Sequence, residues 1–440
     1  MLRAPESAKD RTVTHQLATG RTATLIKLAF AAAAKIAAAF AAFAVTALVT
    51  RNLSTDDAGL FLLGFTLLTV LSVFFRLGLD NVLLRLLSAA GADSFAQEKL
   101  NRGLLWVATI TIPTACIGAL FVEPIAIYIF NKPDFAPILF WMLLALPAMS
   151  LFFLLSFAFQ AQHRVVLTTL FQNLGVSLLF ICGFSYVWFS QPETIGAVTT
   201  AQIYAGATTI VFFAAMFMWF GQRHTELTFK GYKDSELTTA SMNLWIASIM
   251  SLTVQWSGIL IAGAMLTAED VALLTAAQRT AMLTSFVLMV VNMVVAPRYA
   301  RLWKEGNIDG IRNLAKWATR GMVAMVLPVV AIMLIWPSDV MKVFGEGYEQ
   351  AAILLSVLVV GQFVNVASGT VGYLLHMTGH EREVKNSMIY SGLCTLVLTI
   401  TLIHLYGVLG AAVAVSLGVV ILNLTMLVFV KKRLSFYPVG

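Results

Sequence analysis

One arginine in this sequence occupies a costly position. Arg279 lies in Ala276-Ala277-Gln278-Arg279-Thr280-Ala281, well inside an apolar run that begins near residue 270. A charged side chain at membrane depth costs at least about 2.5–3.5 kcal/mol on insertion scales, so it faces a hydrated cavity or a partner. A guanidinium presents planar, paired donors that match phosphate oxygens. The chemistry it points to is capture of a phosphate-bearing group in a polar cavity; the competing reading is an arginine that snorkels or is paired for structure. Lys35, early in the run 28–50, and Arg76, near the end of the run 57–79, are the other intramembrane cations to weigh. Their long stems can reach the headgroups, so each stands between cavity contact and interfacial anchor.

Uncharged polar side chains recur in the same runs. Gln255, Asn292, Gln362 and Asn365 are candidate contacts, among amides and ring polars that also include Gln160, Asn173, Gln202, Tyr373 and His376, none of them individually specific. Such groups either glue helices together or line a hydrated lumen suited to sugars. Carboxylates are scarce there, Glu123 being the main one, so a buried acidic relay of the kind found in many proton-coupled pumps is not visible. No Walker loop, HExxH or GxSxG occurs. Cys116, Cys182 and Cys394 are far apart and lack CxxC spacing, which argues against a disulfide framework or a metal site. Neither a metal nor a cofactor is expected, and no catalytic constellation marks an enzyme.

The elements that must position these residues are membrane helices. The chain of 440 residues is 59% hydrophobic and 12% charged, against about 25% charged in soluble domains. Each spanning helix needs about 20 apolar residues. Runs of that kind fall at about 28–50, 57–79, 104–130, 136–159, 167–189, 196–220, 239–266, 270–296, 321–343, 350–377, 387–405 and 408–430. The expectation is an all-α integral membrane protein with twelve transmembrane helices in two six-helix lobes around a central cavity. Residues 25–220 form the first lobe, 221–238 a polar linker and 239–430 the second, with tails at 1–24 and 431–440. Two equal halves about one linker are a transporter layout.

The formal charge of +7 then reads as topology. With both termini and the loops after even-numbered runs on the cytoplasmic side, only Arg51, Lys132 and Lys342 among the loop cations fall outside. The basic balance is therefore no nucleic-acid footprint. A cleavable signal peptide is the alternative for the N-terminal residues, but Lys35 interrupts the apolar run and the run continues to spanning length.

Local signals refine the picture. Ser54-Thr55-Asp56-Asp57 should cap the second helix, and Asn81-Val82-Leu83-Leu84-Arg85 should form a surface helix. Pro113, Pro124 and Pro147 should kink the third and fourth helices. Arg312, Lys316 and Arg320, four residues apart, mark an amphipathic helix at the inner headgroups. Arg85, Gly91, Lys99 and Arg102 find counterparts in Arg301, Gly306, Lys316 and Arg320, so the second inner loop should repeat the first.

An ordered set of short motifs spans the chain. It runs from Arg51-Asn52-Leu53-Ser54 with Gly59-Leu60-Phe61, through Arg76-Leu77-Gly78-Leu79-Asp80, to Ala296-Pro297-Arg298-Tyr299. It continues with Phe344-Gly345-Glu346-Gly347-Tyr348, Gly361-Gln362, Gly369-Thr370-Val371-Gly372, Thr378-Gly379-His380-Glu381 and Tyr406-Gly407-Val408-Leu409-Gly410. In this the sequence resembles the polysaccharide (Wzx-type, O-antigen) flippases of the multidrug/oligosaccharidyl-lipid/polysaccharide exporter superfamily, from about residue 25 to 438.

That resemblance implies two lobes about a cationic cavity. It implies transfer of undecaprenyl-pyrophosphate-linked oligosaccharide across the bacterial inner membrane, for lipopolysaccharide O-antigen or exopolysaccharide. Membrane lipids, a polysaccharide polymerase and chain-length machinery would be its partners, with no nucleic acid. Arg279 falls where members often carry a basic residue. One departure is Gln255-Trp256-Ser257, where many relatives have an acidic residue midway along the seventh helix; it puts carboxylate-based ion coupling in doubt. A multidrug or cation antiporter of the same superfamily is the alternative, although it wants a buried carboxylate. A membrane glycosyltransferase or polymerase would need a larger outer loop.

Overall fold

The computed structural model describes residues 33, 37–90, 94–162, 164–221 and 235–438. The tail 1–24, Lys35 and most of the 221–238 linker lie outside the described residues. Helices in the first half are α1 (Ala37–Asn52), α2 (Thr55–Phe75), α3 (Leu79–Ala90), α4 (Ser94–Leu120), α5 (Phe135–Ala161), α6 (Gly175–Ser190) and α7 (Ala197–Phe220). In the second half they are α8 (Ser235–Met265), α9 (Ala268–Met282), α10 (Phe286–Lys304), α11 (Ile308–Ile335), α12 (Ala352–Ala367), α13 (Val371–Met377) and α14 (Glu381–Leu434). No strand occurs among the described residues.

Among the described residues nine helical stretches are long and apolar enough to cross a membrane, or ten when the bent pair Val166–Gln172 and Gly175–Ser190 counts as one span. The sequence predicts twelve, and two places account for most of the difference. First, α14 is a single helix of 54 residues only formally, because Gly407 inside it has φ 58° and ψ −138°, a conformation that only glycine adopts readily. A Cβ built on Gly410 would lie 1.9 Å from the Leu402 carbonyl oxygen, and one on Gly418 2.2 Å from Thr395 Oγ1. In one straight helix residues eight apart would be about 12 Å from each other, so the chain doubles back at Gly407. Arg433 and Glu383 pair across the open end of this hairpin at 2.7 Å. Its two arms are the expected runs 387–405 and 408–430. Second, the described part of the first run is α1, shorter than a span.

Other boundaries shift for local reasons. The run expected at 167–189 is bent by 54° at a π-helical turn, Leu170–Leu174, a common cause of sharp bends. The ninth run is not 321–343 but Ile308–Ile335, so Arg312, Lys316 and Arg320 ride on the first turns of a long helix. It stops before Pro337, which disfavours helical geometry in the residue preceding it. Nor does the second inner loop repeat the first: α3 is a separate amphipathic helix, whereas Arg301 lies on the last turns of α10. The predicted cap on α2 is present, Ser54 Oγ accepting from the Asp57 N–H at 3.1 Å. Thr267 and Asp270 form a capping box at the start of α9.

In the first half α5 is central and packs on α2, α3, α4 and α7; in the second, α14 packs on α8, α12 and α13. The halves meet along α2, which lies against α8 and α9. At one end a Cβ on Gly59 would stand 1.8 Å from the Ala268 carbonyl oxygen. There Lys132 Nζ also donates to the carbonyls of Gly263 at 2.7 Å and Leu266 at 2.6 Å. At the other end Gly78, at φ 71°, abuts the backbone of Ser241 and Trp245, and Trp245 Nε1 donates to the Phe74 carbonyl at 2.7 Å. Large apolar side chains such as Leu120, Phe189, Phe213 and Phe217 are exposed, as expected of helices that face lipid.

Candidate functional site

Two chambers lie side by side between the helices, of about 300 and 370 Å³, and they share Phe286 and Met289 as common wall. That size is at the lower end of small-ligand sites. The first is lined mostly from the first half, by residues including Phe65, Phe152, Phe153 and Tyr204, and closed from the second half by Arg279. The second belongs to the second half and is lined by Gln255, Gln278, Ser285, Gln362, Asn365 and Asn423 among others. Helix α9 divides them. Successive helix residues point about 100° apart, and Arg279 faces the first chamber while Gln278 faces the second.

Arg279 stands eleven residues from the start of α9, about 17 Å along the helix axis, which is mid-membrane depth. Its Nη1 donates to Thr46 Oγ1 at 2.9 Å, and its guanidinium carbon lies 4.4 Å from the centre of the Phe65 ring. Phe65 in turn meets Tyr204 edge to face at 5.2 Å. Nε is buried without a hydrogen-bond partner. Among the described residues no carboxylate pairs with this cation. A guanidinium has five N–H donors, so a hydroxyl and a ring face hold it in place and leave most of its hydrogen-bonding capacity unused.

Arg76 is a different case. Headgroup snorkelling is one expectation for it, yet only 5% of the residue is exposed. Its Nε donates to Asp80 at 2.9 Å, Nη1 donates to Ser72 Oγ at 3.0 Å, and the guanidinium lies over Phe153 at 4.7 Å. Its charge is compensated, and it lines neither chamber.

The amides divide likewise. Gln255, Gln362 and Asn365 come together in the second chamber. Asn292 does not: it is buried outside both linings, with Oδ1 unpartnered. Ser285 donates to Gln362 Oε1 at 2.5 Å, Asn365 Nδ2 to the same oxygen at 3.3 Å, and Asn423 Nδ2 to Asn365 Oδ1 at 3.0 Å. Gln278 Nε2 donates to the Gln255 carbonyl at 2.6 Å. Sequence reasoning missed Thr46, Gln278, Ser285 and Asn423 as site residues. For Asn423 a signal existed, an amide within the apolar run 408–430; Thr46 and Ser285 are ordinary hydroxyl residues that only the fold brings to the site.

Comparisons place this architecture among known transporters. The solved structure of the lipid II flippase MurJ in an inward closed conformation superposes with a TM-score of 0.74 at 13% identity, covering 91% of this chain and 87% of that one. An inward-facing multidrug resistance MATE family transporter of the MOP superfamily gives 0.63 at 14% identity, with 90% and 94% covered. A MOP superfamily transporter from Pyrococcus furiosus, described as having a binding pocket of reverse polarity, gives 0.62 at 15% identity, with 93% and 94% covered. The fold is that of MOP transporters, and the chain is a multi-pass membrane protein. No curated protein sequence matches significantly. The MatE family model matches residues 244–405. The model described as polysaccharide biosynthesis protein matches residues 25–303, more than half of the chain, and the protein belongs to that family.

Proposed function

We propose that this protein is a flippase for undecaprenyl-pyrophosphate-linked oligosaccharides, working in the bacterial inner membrane with both termini cytoplasmic. The observation that carries the reading is Arg279, a mid-membrane guanidinium in a cavity with no acidic partner among the described residues. An uncompensated cation at membrane depth is expensive, and an anionic cargo supplies the missing charge. A lipid-linked saccharide has a head that cannot enter hydrocarbon and a tail that cannot leave it. The chamber between the halves and the adjoining one within the second half can shelter the head while the tail stays in lipid. Rocking of a first lobe (25–220) against a second (239–430) about the 221–238 linker would alternate access. The O-antigen or exopolysaccharide pathway and its polymerase are the setting such a cargo needs.

The MatE match keeps a drug or cation antiporter in view. Arg279 weighs against it, because an unpaired guanidinium repels cationic cargo and the chamber residues named here offer no carboxylate to bind one.

The test is transfer of lipid-linked saccharide in proteoliposomes, together with surface polysaccharide in cells. Arg279→Ala should reduce flipping by at least tenfold while the protein inserts at normal levels. Arg279→Lys should keep part of the activity, since a point charge binds phosphate without the paired donors. Arg279→Glu should be worse than alanine. Normal transport by Arg279→Ala would refute the anion site, and unchanged lipid-linked intermediates in a deletion strain with altered drug sensitivity would favour the antiporter.

A further inference from the structure

The second chamber has a lining distinct in chemistry from that of the chamber that holds Arg279. We infer that it binds the first sugar or sugars of the cargo while the phosphates sit at Arg279, so that one headgroup straddles the wall made by α9, Phe286 and Met289. This deepens the flippase reading and rests on it.

Three observations carry the inference. None of the residues described as lining the second chamber is charged. A dedicated cation site is rich in carboxylates or carbonyls and a dedicated anion site in cations or N–H groups, whereas this lining mixes neutral donors and acceptors. Sugar hydroxyls, each a donor and an acceptor, are the groups that such a lining matches. The second observation is unused capacity. Gln278 is 1% exposed and its Oε1 has no hydrogen-bond partner, a state that is costly unless something fills it. Among the described contacts Gln362 uses only its oxygen, as acceptor from Ser285 and Asn365, and its amide N–H groups remain free. Gln255 lends only its main-chain carbonyl, to Gln278.

The third observation is rigidity. The chain Ser285–Gln362–Asn365–Asn423 ties α12, the second arm of α14 and the turn before α10 into one hydrogen-bonded array. Gln278 is pinned in turn to α8. The free amide groups of Gln278 and Gln362 are therefore held in fixed directions before any ligand arrives, which is what discrimination between hydroxyl patterns requires. Phe286 adds an apolar ring at the boundary, where the carbon face of a pyranose could rest.

The test uses the full-length protein in lipid nanodiscs and two probes, undecaprenyl pyrophosphate and undecaprenyl pyrophosphate carrying one N-acetylhexosamine. The wild type should bind the glycosylated probe more tightly. Gln278→Met and Gln362→Met should each weaken the glycosylated probe by about tenfold and leave the bare one unchanged, whereas Arg279→Ala should weaken both. Gln255→Leu alters a side chain without a structural hydrogen bond, so it serves if the buried variants fail to fold; it should weaken the glycosylated probe severalfold. Equal wild-type affinity for the two probes, or amide variants that weaken both alike or neither, would overturn the inference. If Arg279→Ala leaves both probes unaffected while the amide variants still discriminate, the anion site fails and the sugar site stands.

Discussion

At the scale of single residues, the two arginines divide the labour that the sequence left open. Arg279 is held by a hydroxyl and a ring, so its charge is available; Arg76 is spent on Asp80. Arg76→Ala would strand a buried carboxylate, a loss of roughly 3–5 kcal/mol for a buried pair. It should lower the unfolding temperature and the yield in membranes, and Arg76→Gln with Asp80→Asn should restore much of both. Bare-lipid binding per folded molecule should be unchanged in every case; a selective loss of binding by Arg76→Ala would assign that residue to the cavity. How far the sequence reveals such roles depends on where the signal sits. A polar residue in an apolar run is visible locally, which is why Arg279, Gln255, Gln362 and Asn365 stand out. Pairing is not local: Thr46 lies 233 residues from the arginine it holds. Asn292 has the same local signature as Gln362 and yet lines neither chamber.

At the scale of elements, the informative contact is Lys132. Its ammonium reaches from the loop before α5 to the carbonyls of Gly263 in the last turn of α8 and of Leu266 just beyond it, on the other half of the molecule. Carbonyls at a helix C-terminus attract cations, so Lys132 fastens the halves at this end. Burial pushes its pKa below the usual lysine range, while Asp270 pulls it back up. Methionine tolerates the same burial but donates no hydrogen bond. Lys132→Met should therefore shift the molecule towards a form open at this end by about tenfold, on the order of the net worth of one charged hydrogen bond. Spin labels at Asp134 and Glu346, on opposite halves, should report a larger population at long distance in that variant; an unchanged distribution would show that Gly59 and Ala268 suffice. Element boundaries were legible where a breaker marks them, as at Gly407, where the sequence separates the runs 387–405 and 408–430. The π-helical bend before α6 was not legible, since no proline or run of glycines announces it. The facing of the spans was equally hidden, because helices that are apolar on every side carry no stripe to read.

At the scale of the whole molecule, the proposed orientation rests on loop charge. Reporter fusions after Glu193 and Gly347 should read periplasmic, and those after Gly306 and Lys432 cytoplasmic. A cytoplasmic signal at Glu193 together with a periplasmic one at Gly306 would invert the reading. With Gly347 periplasmic and α12–α13 one crossing, a cytoplasmic signal at Lys432 requires that Gly407 turn the chain back within α14.

Helix α2 meets the second half near both of its ends, at Gly59 against Ala268 and, just beyond its last turn, at Gly78 against Ser241 and Trp245. A single rod fastened at two points can release one while the other holds. In electrical terms, such a rod would make the resting molecule an insulator. A carrier of the proposed kind would discharge an energised membrane if the two aqueous sides of its polar chamber ever met, and the paired contacts on α2 would let one end stay closed while the other opens.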